Sequence, residues 1–140
     1  MFNRILVPID GSSHADQALD TAVSLAKNLM VPPKLIVVYV GPVLPLDTPM
    51  IALDLESELI DETRSILSPA EKKLQAAGLE GEVIEVTGDP ARLIVQTAKK
   101  RNVDLIVMGS RGINILSEML MGSVSRSVVK QAHCPVMVVR

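Results

Sequence analysis

Aromatic side chains are almost absent from this sequence: among its 140 residues there are only Phe2 and Tyr39, and there is no tryptophan. A chain with so few aromatic rings has no platform on which successive single-stranded bases could stack. Excess charge is also missing, because the formal net charge is −2 and both signs are spread along the chain. Such a balance argues against a protein held on nucleic acid by backbone electrostatics.

Cysteine is limited to Cys134, which excludes an internal disulfide and a thiolate metal cluster. Long hydrophobic runs are missing as well. The longest, residues 35–46, is interrupted by glycine and proline and is too short to cross a bilayer. The N-terminal apolar stretch, residues 5–9, stops at Asp10, so we expect no secretory signal and a cytoplasmic protein.

The sequence alternates between β-branched apolar runs and amphipathic helical segments. We expect strands at residues 3–9, 34–40, 82–87, 104–108 and 135–139. The inner runs are almost continuously apolar, which is typical of parallel strands that helices cover on both faces. The chain is long enough for one domain, residues 1–140, with a core of its own.

Two helix starts can be predicted from capping residues. An apolar stripe at helical spacing indicates a first helix over residues 13–29, with Ser12 or Ser13 as its N-cap. Asp89 followed by Pro90 is typical of an N-cap with proline at the first helical position, so we assign this pair to capping alone.

The middle of the chain is harder to divide. Residues 51–67 are expected to form a helix that kinks or restarts at Ser68-Pro69, which resembles a capping box. The last helix is expected over residues 123–131. The stretch 41–50 contains three prolines and is expected to be a loop rather than a helix or a central strand.

The most informative segment is Met-Gly-Ser-Arg-Gly at residues 108–112, which follows an apolar run and precedes Gly122-Ser123. A strand that ends in closely spaced glycines can turn sharply and leave its amide N–H groups uncovered. Glycine and serine before a helix supply further amides and a hydroxyl. Because unpaired amides and the helix dipole both attract anions, this pattern predicts a phosphate-binding loop. Turn formation and close packing are the alternative roles for the glycines.

Asp10 is a second candidate, since it directly follows the first predicted strand. Ligands of open α/β sheets bind at the carboxyl ends of strands, where the strand order reverses. If the first and fourth strands are neighbours, Asp10 and the glycine segment share one crevice. A turn residue before Gly11 is the alternative role for Asp10, and a plain N-cap is the alternative for Ser123.

Four segments resemble the universal stress protein family: residues 4–12 (RILVPIDGS), 88–90 (GDP), 104–112 (DLIVMGSRG) and 132–139 (AHCPVMVV). The nucleotide-binding branch of that family carries glycine, two residues, glycine, nine residues, then glycine and serine or threonine. The same spacing is found in this chain, at Gly109, Gly112, Gly122 and Ser123.

The resemblance implies an open five-stranded parallel sheet in the order 3-2-1-4-5, with helices on both faces, similar to adenine nucleotide alpha hydrolases. It also implies ATP in the crevice and a homodimer. With a triphosphate we expect Mg²⁺, held mainly by the phosphate oxygens. By position, Asp10 would hold the ribose hydroxyls. The adenine site would be lined by Pro8, Val40 and Met108. The phosphates would be wrapped by Gly109, Gly112, Gly122, Ser123 and Val124, with Arg111 and Ser125 as additional contacts.

We therefore interpret the chain as an ATP-binding regulatory protein of the stress-response class. It has no Walker sequence ending in Lys-Ser/Thr, and no residue is evidently placed to orient an attacking water, so efficient hydrolysis is not expected. A slow ATPase using Asp10 near the metal and a nucleotide-free dimeric scaffold are the alternatives. A phosphoacceptor receiver is largely excluded, because no aspartate ends the third strand.

The last strand carries two further predictions. Its apolar residues 136–139 would form an edge, and unpaired edges favour strand pairing, so we expect an isologous dimer through this strand. Cys134 stands beside His133, but adjacent residues of an extended segment point to opposite faces. We therefore expect Cys134 to be a small buried side chain and not a nucleophile.

Overall fold

Parallel strands and helices alternate along the chain in a computed structural model that describes residues 2–43, 49–111 and 121–140, and only the backbone of residues 49–56. Within these residues the elements are β1 (Arg4–Ile9), α1 (Ser13–Asn28), β2 (Lys34–Gly41), α2 (Pro49–Ala77), β3 (Gly81–Thr87), α3 (Pro90–Lys100), β4 (Leu105–Gly109), α4 (Ser123–Gln131) and β5 (Val136–Val139). The strands form one sheet in the order β3-β2-β1-β4-β5, and every pair is parallel. The predicted fold class and strand order are confirmed.

Both faces of the central strands are buried, which explains their continuous apolar sequence. On one face, alternate residues such as Ile5 and Val37 pack against α1 and α2. On the other face, residues such as Leu6 and Ile36 pack against α3 and α4, with Val128 completely buried among them. Because neither face meets water, the period-two alternation of an amphipathic strand is absent.

The sheet reverses its direction of growth at β1. From β1 the chain adds β2 and β3 on one side, and it then crosses to add β4 and β5 on the other. The pairs Ile5–Leu105 and Leu6–Ile106 hold β1 against β4. The carboxyl ends of β1 and β4 therefore diverge at the switch point, where open α/β sheets form their ligand crevice.

The predicted caps of α1 and α3 are confirmed. Ser12 accepts a hydrogen bond from the Ala15 amide at 3.2 Å, and Asp89 accepts one from the Arg92 amide at 3.1 Å. At α4 the N-cap position belongs to Gly122, and no side chain caps the helix. The alternative of Ser123 as a plain N-cap is therefore wrong.

The expected restart of the helix at Pro69 is also wrong, because α2 runs as one helix from Pro49 to Ala77. The expected kink stays a prediction. Proline lacks an N–H and removes one helical hydrogen bond. Packing of the following turns compensates for it, since Ala70 and Leu74 are 3% and 4% exposed against the sheet. Tertiary burial thus outweighs a local helix breaker.

The predicted loop 41–50 is shorter than expected. Gly41 is the last residue of β2 and pairs with Thr87, while Pro49 and Met50 already belong to α2. Proline is tolerated at the first helical position because its missing N–H would have no partner there. Residues 44–48 of the predicted loop lie outside the described residues.

Polar contacts close the amino-terminal end of the sheet, opposite the switch-point crevice. The Asp104 carboxylate accepts hydrogen bonds from the amides of Asn3 and Arg4 at 2.8 and 3.1 Å. Glu82 bridges Lys34 at 3.2 Å and Arg101 at 2.6 Å. These hydrogen bonds to Lys34 and Arg101 lower the pKa of the Glu82 carboxyl.

None of the helices in the described parts of the chain combines the length and the apolar character needed to cross a bilayer. The cytoplasmic location expected from the sequence stays a prediction.

Candidate functional site

A cleft of about 600 Å³ lies at the carboxyl ends of β1, β2 and β4, where the strand order reverses. It is lined by ten of the residues predicted from the sequence: Pro8, Asp10, Val40, Met108, Gly109, Arg111, Gly122, Ser123, Val124 and Ser125. Gly112, the remaining predicted residue, lies outside the described residues. The fold therefore brings the two predicted halves of the site, at β1 and at β4–α4, into one cavity.

Part of the cleft lining is apolar. It includes Pro8 of β1, Val40 of β2, Met108 of β4 and Ile94 of α3. Val40, Ile94 and Met108 belong to one packed apolar cluster, and Val40 lies two residues beyond Val38, the β2 partner of Pro8. Such a surface can hold a flat uncharged ring without hydrogen-bonding it.

Asp10 follows the last residue of β1, and a turn holds its carboxylate at the cleft. Its Oδ1 accepts a hydrogen bond from the Ser12 amide at 2.9 Å. The turn needs Gly11, whose φ of +85° lies in the left-handed region. The structural role predicted as an alternative is thus present, and it also fixes the carboxylate in the cavity.

Gly109 has a structural reason to be glycine. A Cβ atom at this position would lie 2.8 Å from both the carbonyl carbon and the carbonyl oxygen of His14. The first turn of α1 therefore packs directly on the backbone at the end of β4. Close packing, which the sequence left as the alternative for the glycines, accounts for this one.

Ser125 is 3% exposed, and its hydroxyl donates a hydrogen bond to the Gly109 carbonyl oxygen at 2.8 Å. Its proton is committed to the protein, so the predicted contact between Ser125 and a phosphate cannot use this hydroxyl as a donor in the observed arrangement. The bond instead joins the first turn of α4 to the end of β4.

The first turn of α4 supplies amides to the cleft. The Gly122 amide donates to the Ser110 carbonyl oxygen at 2.6 Å, so it is already paired. The following amides, of Ser123, Val124 and Ser125, occupy the first three helical positions, where an α-helix offers no internal acceptor. With Arg111 also lining the cleft, this end of the cavity is electropositive.

Among the lining residues that were not predicted from the sequence, two carry polar side chains: Tyr39 at the end of β2 and Glu62 in α2. Tyr39 is visible in the sequence as the residue before Val40, next to a strand end. Glu62 carries no such signal, because an acidic residue in an amphipathic helix is usually only part of a solvated face. Its position follows from how α2 crosses the sheet.

The Tyr39 side chain is 6% exposed, and burial is the main cause that raises the pKa of its phenol. The charge of Glu62 raises this pKa further, and a hydrogen bond with Thr63 opposes the change. Smaller contributions in the same direction come from the charges of Glu85 and Asp10. The phenol therefore stays neutral near pH 7, beside carboxylates.

The Cys134 thiol is partly buried against the core formed with α3 and α4. Burial raises its pKa, and the charge of Asp104 acts in the same direction. A raised pKa keeps the thiolate fraction small. This agrees with the interpretation that Cys134 is not a nucleophile.

A second and larger cleft, of about 710 Å³, lies between α2 and β3. Arg64, Glu71 and Glu85 line it, and it meets the first cleft at Gly41 and Pro42. It does not include Asp10, the end of β4 or the first turn of α4. We assign the candidate site to the smaller cleft because the switch point is there, together with the amides at the start of α4 that have no acceptor within the helix.

An open parallel sheet in this order, with a cleft at its switch point, defines a doubly wound, Rossmann-like α/β protein. Within that class the match is specific: a sequence profile of the universal stress protein family matches residues 1–140. The chain belongs to this family.

Comparisons with individual proteins support the same family assignment. The universal stress protein YxiE of Bacillus subtilis is 40% identical over 150 residues, which cover 100% of both chains. The solved structure of MJ0577 from Methanocaldococcus jannaschii has a TM-score of 0.87 at 31% identity, covering 99% of this chain and 96% of that one. A universal stress protein family member from Arabidopsis thaliana, solved with AMP bound, has a TM-score of 0.73 at 24% identity, covering 98% and 90%. The last likeness shows the fold alone.

Proposed function

We propose that this protein is an adenine-nucleotide-binding regulatory protein, of the ATP-binding branch of its family, that takes ATP together with Mg²⁺. One observation carries the proposal: a single cleft combines a carboxylate at β1, an apolar surface and, at the start of α4, amides that have no hydrogen-bond acceptor within their own helix. A nucleoside triphosphate offers one group for each of these: ribose hydroxyls for the carboxylate, a flat base for the apolar surface and phosphate oxygens for the amides.

The phosphate end is supported by the amides of Ser123 and Val124 and by the guanidinium of Arg111. Amides at a helix N-terminus bind phosphate through hydrogen bonds and through the helix dipole. Arginine adds a charge that can pair with two phosphate oxygens at once. Neither group would have a comparable use if the ligand were neutral.

The sugar end is supported by Asp10, whose carboxylate can accept hydrogen bonds from two ribose hydroxyls. The base would lie on Pro8, Val40 and Met108, in keeping with the scarcity of aromatic side chains. The Arabidopsis relative with AMP bound is a protein of this fold that holds an adenine nucleotide.

The metal ion would be held mainly by oxygens of the triphosphate. Mg²⁺ is usually bound through substrate phosphates and one or two carboxylates rather than through a dedicated cage. The described residues contain no cluster of three or more His, Cys, Asp or Glu side chains that could hold a metal. This fits an ion that arrives with the nucleotide.

Titration calorimetry with ATP, ADP, AMP and adenosine, each with and without Mg²⁺, tests the proposal. We expect saturable binding of ATP and a loss of affinity as phosphates are removed, because the electropositive end acts only on the phosphates. ADP formed during the titration measures hydrolysis and separates a binding protein from a slow ATPase. No binding of any adenylate would overturn the proposal and favour a nucleotide-free scaffold.

We further propose that the protein is a homodimer joined through β5. This strand is at the edge of the sheet, and Met137 is 38% exposed on it. Among the described residues no strand pairs with its outer side. An unpaired apolar edge favours pairing with a second copy about a two-fold axis.

A further inference from the structure

Glu62 places a second carboxylate in the proposed nucleotide cleft. It comes from α2, while Asp10 comes from the end of β1, and both line the same cavity. The two carboxylates also act on one common group, because the charge of each raises the pKa of the Tyr39 phenol. Both carboxylates therefore border the space that a ligand in this cavity would occupy.

The cavity is thus lined by groups of opposite charge. Asp10 and Glu62 contribute negative charge, and Arg111 with the first turn of α4 contributes positive charge. A ligand with an anionic chain at one end and hydroxyl groups behind it fits this arrangement. A ligand with anionic groups at both ends does not, because its second anion would face carboxylates.

We propose that Glu62 makes the cleft selective for adenine nucleotides whose ribose hydroxyls are both free, and against those carrying a phosphate on the 2′ or 3′ oxygen. This inference rests on the proposed nucleotide function. A free hydroxyl donates a hydrogen bond to a carboxylate, whereas a phosphate ester cannot donate and adds negative charge. Selectivity of this kind comes from a repulsive element directed at the wrong ligand.

Glu62 is suited to this role because it is not needed for the fold. Its side chain is exposed, and the described residues give it no salt bridge. A carboxylate at the mouth of the cleft can therefore act on a ligand without a change in the packing of α2.

The test compares ligands that differ only by the extra phosphate: AMP, adenosine 3′,5′-bisphosphate and adenosine 2′,5′-bisphosphate, titrated in a calorimeter. We expect the unaltered protein to prefer AMP by about tenfold, because the extra phosphate brings roughly two negative charges close to carboxylates at a partly exposed, screened site. Glu62→Gln keeps the size and hydrogen-bonding capacity of the side chain, and we expect it to reduce this preference to about threefold or less.

Asp61→Asn is the matched control. Asp61 is exposed on the same helix, one residue earlier, and lines neither cleft. Its neutralisation changes the net charge by the same amount, so it should leave the preference for AMP intact. Higher salt should narrow the preference in the unaltered protein, since exposed charges are screened.

The outcomes are distinguishable. If the unaltered protein does not bind AMP or ATP, the proposed function fails. If it binds AMP but binds the bisphosphates equally well, or if Glu62→Gln keeps the full preference while circular dichroism shows a folded protein, the selectivity inference is overturned and nucleotide binding stands.

Discussion

The hydroxyl of Ser125 donates a 2.8 Å hydrogen bond to the carbonyl oxygen of Gly109, 16 residues earlier in the chain. The bond joins the first turn of α4 to the last residue of β4. It is buried, and it holds the amides of α4 at a fixed distance from the switch point. The Ser125 hydroxyl thus positions the first turn of α4 at the cleft, although its own proton is bonded to Gly109 and is not offered to a ligand.

Ser125→Ala should destabilise the protein by about 1–3 kcal/mol, because it leaves a buried carbonyl oxygen without its partner. Urea unfolding followed by circular dichroism measures this change. Ser127→Ala is the control on the same helix, since Ser127 makes no side-chain hydrogen bond within the described residues. Equal stability losses for the two variants would contradict the role of the Ser125 bond.

Gly109→Ala should destabilise the protein by about 1–3 kcal/mol, since a Cβ atom would overlap the backbone of His14 and force α1 away from β4. The loss should appear as a lower midpoint in thermal unfolding without any ligand. Gly41→Ala is the comparison, because a Cβ there would meet nothing closer than 3.7 Å. If Gly109→Ala unfolds at the same temperature as the unaltered protein, the close packing of Gly109 against His14 does not require glycine for stability.

Ser123→Asp should separate ligand binding from stability. Ser123 is exposed at the first position of α4, where a negative charge interacts favourably with the helix dipole. Stability should therefore be unchanged or slightly higher, while ATP affinity falls by roughly tenfold because the carboxylate repels the phosphates. Ser123→Asn adds the same bulk without charge and should bind ATP more tightly than Ser123→Asp. Equal affinities would place the phosphates elsewhere.

Met137→Lys should convert the proposed dimer into a folded monomer. Lysine on an exposed edge strand opposes pairing with a second strand. Light scattering after size-exclusion chromatography gives the mass, and circular dichroism reports the fold. Val129→Lys is the control, since Val129 is 46% exposed on α4 and is not part of the edge. A monomeric unaltered protein at micromolar concentration would rule out the β5 dimer.

The contribution of Glu82 should depend on pH. Hydrogen bonds to Lys34 and Arg101 lower its pKa in the folded protein, so its ionised form is favoured by folding. The stabilisation is present above the pKa of the unfolded state and is lost as the pH falls through the lowered folded pKa. Glu82→Gln should therefore be less stable than the unaltered protein at pH 7, and the difference should shrink as the pH falls through the lowered folded pKa of Glu82. A difference that is constant with pH would assign the effect to packing instead.

The sheet could be predicted from the sequence because its strands are buried on both faces, as at residues 35–38 and 105–107, and their apolar runs need no alternation. The ends of these runs also located Asp10 and Gly109. The extent of α2 could not be predicted, because Pro69 is a local signal against helix and the burial of Leu74 that outweighs it is a tertiary contact. Glu62 was missed for the same reason, since only the crossing of α2 over the sheet brings it to the cleft.

The contact between Gly109 and His14 bears on how relatives of this chain should be sorted. Any homologue in which the first helix rests equally tightly against the fourth strand must retain a glycine there, even after its cleft has lost every ligand. The presence of that residue is then evidence of shared architecture. The contact involves Gly109 and His14 and not the amides at the start of the fourth helix. Family members that have lost their ligand are therefore expected to differ from this chain first at the start of that helix.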